Sequence, residues 1–402
     1  MTKLKILTVT PFFLPDVGGL STHVQSINAN LIKEGNDVTI IAPKHLGIKI
    51  KEQNKIFSKI YKMDSIYLPG WPYPTLRSMS IPIDLGSKIK SVIRNGNYDI
   101  IHIHGHHFPT SWIAINAAHR YGVTSVLTMH GMYALNPNVL GGKSIIENGL
   151  NKYVFTKILS KTNGIIGLTE HITDYAKQLG KDSTKYFTIP NGINTELFKK
   201  NLSKKMEYRK KYNVDQNRKV VLFCGRFEKG KGIIEFAEAA KRIVKKSESE
   251  VVIVGRGALG PQVKSIIGNS EHIHLFDWQP QEQIHELYIA SDVFILPSRF
   301  EALPLTIIEA MNAGLHVVYT LVGGVSEILE GYSAKTILSK ISIDEIENIV
   351  LKVIENFEIP NNIKELLGYA QKFDWGNVSI DTAKAYAECI NEKYNVHNRH
   401  IQ

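Results

Sequence analysis

Cysteine is almost missing from this chain of 402 residues: only Cys224 and Cys389 occur. Two cysteines cannot build a disulfide framework or a Cys-ligated zinc site, and such scarcity fits a reducing compartment, taken here as the cytoplasm. No stretch of about 18 apolar residues is present, so no membrane-spanning helix is expected. The N-terminal segment has basic residues but too short an apolar run for a secretory leader, and it reads as a first strand. An apolar fraction of 43% with 21% charged residues excludes a disordered or low-complexity scaffold.

Acidic residues are scarce in one half only. Residues 1–197 hold 21 Lys and Arg against 12 Asp and Glu, while the remainder holds 27 against 26. Nearly all of the formal charge of +10 therefore lies in the first half. Such asymmetry suggests an anionic partner: acidic lipid, a phosphorylated substrate or nucleic acid. The plainer reading is a solvated lysine surface, because Lys is scattered rather than packed in runs.

Length favours two domains. Short Val- and Ile-rich runs alternate with helical segments in both halves. In the first they are Lys5–Thr10, Asp37–Ala42, Asp99–His104, Thr124–Met129, Gly164–Thr169 and Lys185–Ile189. In the second they are Lys219–Cys224, Glu250–Val254, His272–Phe276, Val293–Pro297 and His316–Thr320. Runs of this kind suit parallel strands buried on both faces. Two doubly wound α/β domains follow, over 1–197 and 198–375, with turn chemistry at Pro190-Asn191-Gly192 near the junction. Ligands of such sheets bind beyond the carboxyl ends of the strands, and two domains facing each other make a cleft.

Four groups of residues follow strand ends. Gly225-Arg226-Phe227-Glu228-Lys229-Gly230-Lys231-Gly232 combines a tight turn with two cations before a helix, an arrangement suited to a diphosphate. It matches neither a Walker loop nor G-x-G-x-x-G, and alone it could be a basic surface turn. Ser298–Ala310 carries Pro304 in a first helical turn, Glu301 before the helix and Glu309 in its second turn. Two carboxylates there could grip sugar hydroxyls; spacing alone favours a capping Glu and a solvated helix face. Gly18-Gly19 opens a helix and admits close backbone approach. Lastly, His102, His104, His106 and His107 crowd one strand end, and His130 follows another. The crowd lacks a nearby acidic residue, so no metal site is expected, and His130 suits a substrate hydrogen bond better than a metal.

In their order and spacing these residues resemble the retaining family-4 glycosyltransferases of the GT-B fold, two Rossmann-like domains around a central cleft. The likeness runs from Gly18 to the terminal helix. Its specific parts are Gly225-Arg226-x4-Lys231-Gly232 and the E-x7-E pair Glu301/Glu309. Supporting parts are Thr128-Met129-His130-Gly131, Pro190-Asn191-Gly192, Gly255-Arg256-Gly257 and Gly323-Gly324-Val325-Ser326-Glu327. Ala302 stands where Gly or Ser is frequent, and Ser326 where Pro often precedes the Glu.

The resemblance implies roles. Arg226 and Lys231 hold the donor diphosphate, Glu309 the ribose and Glu301 the donor sugar, beside the amides of Ala302, Leu303 and Leu305. Gly18 and Gly19 let the first domain close on donor and acceptor, and His130 lies beside the sugar. Gly255, Arg256 and the segment Phe276–Trp278 are placed near the base. The terminal helix, 376–402, joins the first domain. No cofactor or metal is implied, in keeping with the missing D-x-D. The implied reaction moves a sugar from a UDP- or GDP-sugar to a glycan or lipid-linked acceptor with retention, the departing phosphate helping to deprotonate the acceptor. A peripheral position on an anionic membrane face is expected, with Ile145–Thr162 as an interfacial amphipathic or buried core helix. The alternatives are a nucleotide-sugar epimerase on the same fold or a non-catalytic anion-binding protein, of nucleic acid for example; the second-half motifs argue against both.

Overall fold

The computed structural model describes residues 3–13, 19–43, 59–63, 65–66, 81–82, 84, 86–131, 150–357 and 368–399. The chain divides into two compact units, Met1–Asn191 with Trp375–Gln402, and Gly192–Asp374.

In the first unit seven parallel strands form one sheet: β1 (Lys5–Val9), β2 (Asp37–Pro43), β3 (Ile60–Met63), β4 (Ile100–His104), β5 (Thr124–Met129), β6 (Gly164–Gly167) and β7 (Lys185–Thr188). Their order is β3-β2-β1-β4-β5-β6-β7. Ile6, Leu7, Ile100, Ile101, Ile103, Val126 and Leu127 are fully buried, as strands covered on both faces require. Helix α1 (Gly19–Lys33) follows β1, and α2 (Pro109–Arg120) follows β4.

The second unit repeats the plan with β8 (Lys219–Cys224), β9 (Ser249–Val254), β10 (Ile273–Phe276), β11 (Val293–Leu296), β12 (His316–Thr320) and β13 (Lys335–Leu338), ordered β10-β9-β8-β11-β12-β13. Between these lie α3 (Ile233–Lys246), α4 (Gln281–Ala290) and α5 (Leu305–Asn312). In both sheets the order reverses beside the first strand, between β1 and β4 and between β8 and β11. Crevices open at the carboxyl ends there.

Two strands of these sheets were not visible as apolar runs. Both β3 and β13 are four-residue edge strands, and β13 is largely half-exposed, so neither needs the two-faced Val/Ile pattern. The final helix α6 (Trp375–Arg399) lies on the first unit. Val378, Tyr386 and Cys389 enter that unit's core. The fit is close: a Cβ on Gly164 of β6 would sit 2.5 Å from Cys389 Sγ.

The first junction falls before the expected 197/198. The short helix Thr195–Asn201 belongs to the second unit because Phe198 is fully buried there against the His285 ring, at 4.5 Å. Thr195 Oγ1 also donates to Asp374, at 2.7 Å. The return junction, Asp374/Trp375, lies one position before the expected 375/376. Within Ile145–Thr162, residues 145–149 lie outside the described residues. Beyond them Phe155, Ile158 and Leu159 are buried, so these apolar side chains serve the core and are not free for a bilayer. Tyr153, by contrast, is exposed, at 69%.

Candidate functional site

In the second unit, the loops after β8 and β11 meet. Lys231 Nζ lies 2.6 Å from Glu301 Oε1, and the same oxygen accepts from Ser298 Oγ at 2.7 Å. Both partners are largely buried, Lys231 at 19% and Glu301 at 7% exposed. The loops also share backbone bonds: Arg299 N donates to Gly230 O at 2.8 Å, and the Arg299 guanidinium caps Lys229 O at 2.9 Å. Gly232 makes the approach possible. It sits at φ 65°, and a Cβ there would lie 2.2 Å from Pro297 O. Glycine at 323, φ 55°, is required likewise, since its Cβ would meet Glu301 O at 1.8 Å.

Arg226 does not join this pair. Its guanidinium is 66% exposed and bonds Glu228 at 2.9 Å. An ammonium has three donors, of which Glu301 takes one, so Lys231 retains capacity for an anionic oxygen at a helix-bearing strand end.

The carboxylates differ from the reading that spacing favoured. Glu301 is held by Lys231 and Ser298, and Glu309 is buried on α5 at 7% exposure. Neither lies on a solvated face. Glu309 Oε1 lies 3.8 Å from His285 Nε2, behind which Phe198 and Tyr288 close the core. Pro304 sits at the cap position rather than in the first turn; the helix starts at Leu305. Ala302 and Leu303 form the approach to it, and Ala302 O accepts from Gly324 N at 2.9 Å.

Gly255 N donates to Phe276 O at 3.1 Å, and Arg256 O accepts from Phe227 N at 2.9 Å. The loops after β8, β9 and β10 are thus tied side by side, with the Arg256 side chain exposed and Trp278 half-buried. Gly255-Arg256-Gly257-Ala258-Leu259-Gly260 also spells G-x-G-x-x-G, a pattern the sequence reading passed over. It follows the unit's second strand, and its first two glycines pack on the backbone of Gly225 and Phe227.

In the first unit, Gly18 lies outside the described residues. Gly19 begins α1, and a Cβ added there would meet nothing within 4 Å. Histidines fill the carboxyl ends of β4 and β5. His104 Nδ1 lies 3.1 Å from His130 Nε2. His102 has both nitrogens engaged, with Tyr386 Oη at 2.6 Å and Thr128 Oγ1 at 2.7 Å. His23, a buried residue of α1 on which the sequence reading placed no role, completes the group, its Nδ1 2.8 Å from Asn191 Oδ1. The missed signals were a histidine on the apolar face of α1 and the Asn of Pro190-Asn191-Gly192. His285 and Tyr288, on the apolar face of α4, escaped notice in the same way.

Burial sets the charge of this group. It lowers the imidazole of His102 to about 3 and that of His23 to about 4, the latter despite the Asn191 bond. His104 and His130 lie well below the ordinary range for the same reason, with repulsion among the rings adding to it. The rings are uncharged at neutral pH.

Two doubly wound units, each with a switch point beside its first strand, are the architecture of the GT-B fold. A family model described as glycosyl transferases group 1 matches residues 204–366, and one described as Glycosyltransferase Family 4 matches residues 17–197. The chain belongs to glycosyltransferase family 4. It is 24% identical over 402 residues to an uncharacterized glycosyltransferase of Methanocaldococcus jannaschii, covering 95% of this chain and 98% of that one. It is 28% identical to the Escherichia coli UDP-Gal:alpha-D-GlcNAc-diphosphoundecaprenol alpha-1,3-galactosyltransferase, over 70% of this chain and 74% of that. Among solved structures, Anabaena HepE in complex with UDP-glucose superposes with a TM-score of 0.69 at 17% identity, over 96% of this chain and 100% of that one. Among the described residues no helix is long and apolar enough to cross a membrane.

Proposed function

We propose that this glycosyltransferase moves a hexose from a nucleoside-diphosphate-sugar to a glycan or lipid-linked acceptor, with retention and without a required metal. The observation that carries the reading is the Lys231–Glu301 contact of 2.6 Å at the β8/β11 switch point. Cleaving a glycosyl phosphate develops negative charge on the leaving oxygen and positive charge on the sugar. A buried ammonium serves the first, a buried carboxylate the second, and both are set before the reaction begins. Arg226, exposed on a loop edge, reaches the diphosphate by leaving Glu228. Glu309 takes ribose hydroxyls, and the amides opening α5 add donors near the phosphate. The base faces Phe276–Trp278 and the Gly255-Arg256 turn. His130, uncharged, offers a hydrogen bond to the sugar. The leaving phosphate takes the acceptor proton on the face it vacates, which keeps the anomeric configuration.

The UDP-Gal and lipid-diphosphate named for the E. coli relative support a UDP-sugar and a lipid-linked acceptor as first choices. Hydrolysis and transfer across a panel of UDP- and GDP-sugars, each with and without EDTA, tests the reading. Turnover of at least one donor in EDTA, with α-product from α-donor, is expected. A requirement for a divalent ion, or inverted product, overturns it. Epimerised donor without transfer would favour the epimerase.

A further inference from the structure

The histidines of the first unit are not equivalent. His102 is fully committed to Tyr386 and Thr128. Three others, His23 from α1, His104 ending β4 and His130 following β5, present one nitrogen each within 4.8 Å of one another. Ligand nitrogens of a tetrahedral zinc stand about 3.4 Å apart at a Zn–N distance of ~2.0–2.1 Å. The His104–His130 separation of 3.1 Å is already close to that. His23 is oriented by the Asn191 amide oxygen at its other nitrogen, the support that metal-bound imidazoles ordinarily receive. The remaining nitrogen of His104, Nε2, is buried with no hydrogen-bond partner, and its Nδ1 bonds only to His130, whose shared proton would be displaced by an ion taking both nitrogens. His130 is only half-buried, which leaves a fourth, open side for water or an anionic oxygen.

We propose that His23, His104 and His130 form a facultative site for a zinc-class divalent ion, and that filling it inhibits transfer by withdrawing His130 from the sugar. Three imidazoles without a carboxylate select borderline transition metals over Mg²⁺ or Ca²⁺. The site is regulatory, compatible with transfer that needs no metal. Its inhibitory half rests on the role given above to His130; the binding half does not.

The test uses untagged full-length protein stripped with EDTA and then freed of chelator. It is titrated with Co²⁺ in the absence of donor and acceptor. The visible d–d bands of low-coordinate cobalt should grow to one ion per chain and vanish when Zn²⁺ is added. His23→Gln and His104→Gln should each weaken binding by at least about tenfold, and Asn191→Ala, which leaves all three ligands, by roughly 10–100-fold. His272→Gln, beside Glu250 in the other unit, should leave the titration unchanged. Circular dichroism verifies that the variants fold, and Zn²⁺ should raise the melting temperature of the wild type but not of His23→Gln. No d–d band at one equivalent, or a band that survives both histidine substitutions, overturns the site. Full bands with undiminished donor turnover at saturating Zn²⁺ overturn the inhibition alone.

Discussion

Both units order their first six strands alike and reverse at the same place, yet they fill the switch point with opposite chemistry. The first packs uncharged imidazoles from β4, β5 and α1; the second packs an ammonium against a carboxylate. The fold fixes where a ligand can sit, and the side chains at that place decide what is done there. A second contrast lies within the second unit. At the amino ends of its strands, Arg209 pairs with Asp292 at 2.6 Å and spends its other donors on Ala290, Gln216 and Arg218 carbonyls. That pair is saturated and holds the chain together. Lys231 is less sheltered, at 19% exposure against 5%, and has donors left over.

The largest effect should separate these two pairs. Lys231→Ala should reduce turnover by roughly 10²–10³-fold, the scale of losing a preorganised donor at developing charge, with a modest fall in melting temperature because Glu301 keeps its Ser298 bond but loses its cation. Arg209→Ala should cost about 1–3 kcal/mol of stability, because the Ala290, Gln216 and Arg218 carbonyls lose their donor while Asp292 keeps Lys205 and the Val220 amide. Urea unfolding and donor turnover on both variants measure this. Full turnover in folded Lys231→Ala would remove the distinction.

Acid should separate the two switch points next. Burial keeps His107 near about 4 and His106 well below the usual imidazole range. The unfolded chain protonates both near 6.5. Unfolding therefore takes up protons between pH 6.5 and about 4, and stability is lost as pH falls through that window. Each ring should cost roughly 1 kcal/mol between pH 6.5 and 5.5. Hydrogen exchange in EDTA, corrected for intrinsic rates, should show β4 losing protection while β8 keeps it. Equal loss in both strands would mean that the histidines do not govern acid stability.

A smaller effect divides the two carboxylates. Glu309→Ala should raise the donor KM about tenfold, since ribose is held alike before and during reaction; Glu301→Gln should lower kcat instead. Steady-state kinetics decides it, and the reverse pattern would exchange the roles.

Much of this was legible in the sequence because buried parallel strands leave apolar runs: β5, β8 and β12 stand where those runs do. Edge strands such as β13 carry no such mark. The loops at Gly225 and Ser298 were visible as motifs, but their contact was not, since Lys231 and Glu301 are seventy positions apart and meet only across β8 and β11. The histidine group was half legible. The crowd around His104 drew attention, whereas His23 joins it through the packing of α1, which no local pattern announces. Burial of Glu309 was likewise set by its neighbours, His285 of α4 with Phe198 of the helix Thr195–Asn201 packed on it, rather than by its own helix.

The smallest effect concerns the surfaces, where the halves again differ: the charge excess of the first 197 residues against near balance in the rest. Phe155, Ile158 and Leu159 of the segment that offered an amphipathic anchor are in the core, which leaves electrostatic attraction as the membrane contact to test. Exposed Lys88, Lys90 and Arg94 share one helix, Ser87–Asn95, and illustrate the kind of surface available. Each cation near an acidic bilayer contributes about 1 kcal/mol, most of it lost as salt shortens the screening length. Sedimentation with anionic vesicles should therefore exceed that with neutral ones at low salt and converge at high salt, and anionic vesicles should stimulate transfer to a lipid-linked acceptor only a few-fold. Equal binding to both vesicles, or none to either, would leave the lysines as solvation and point to a soluble acceptor.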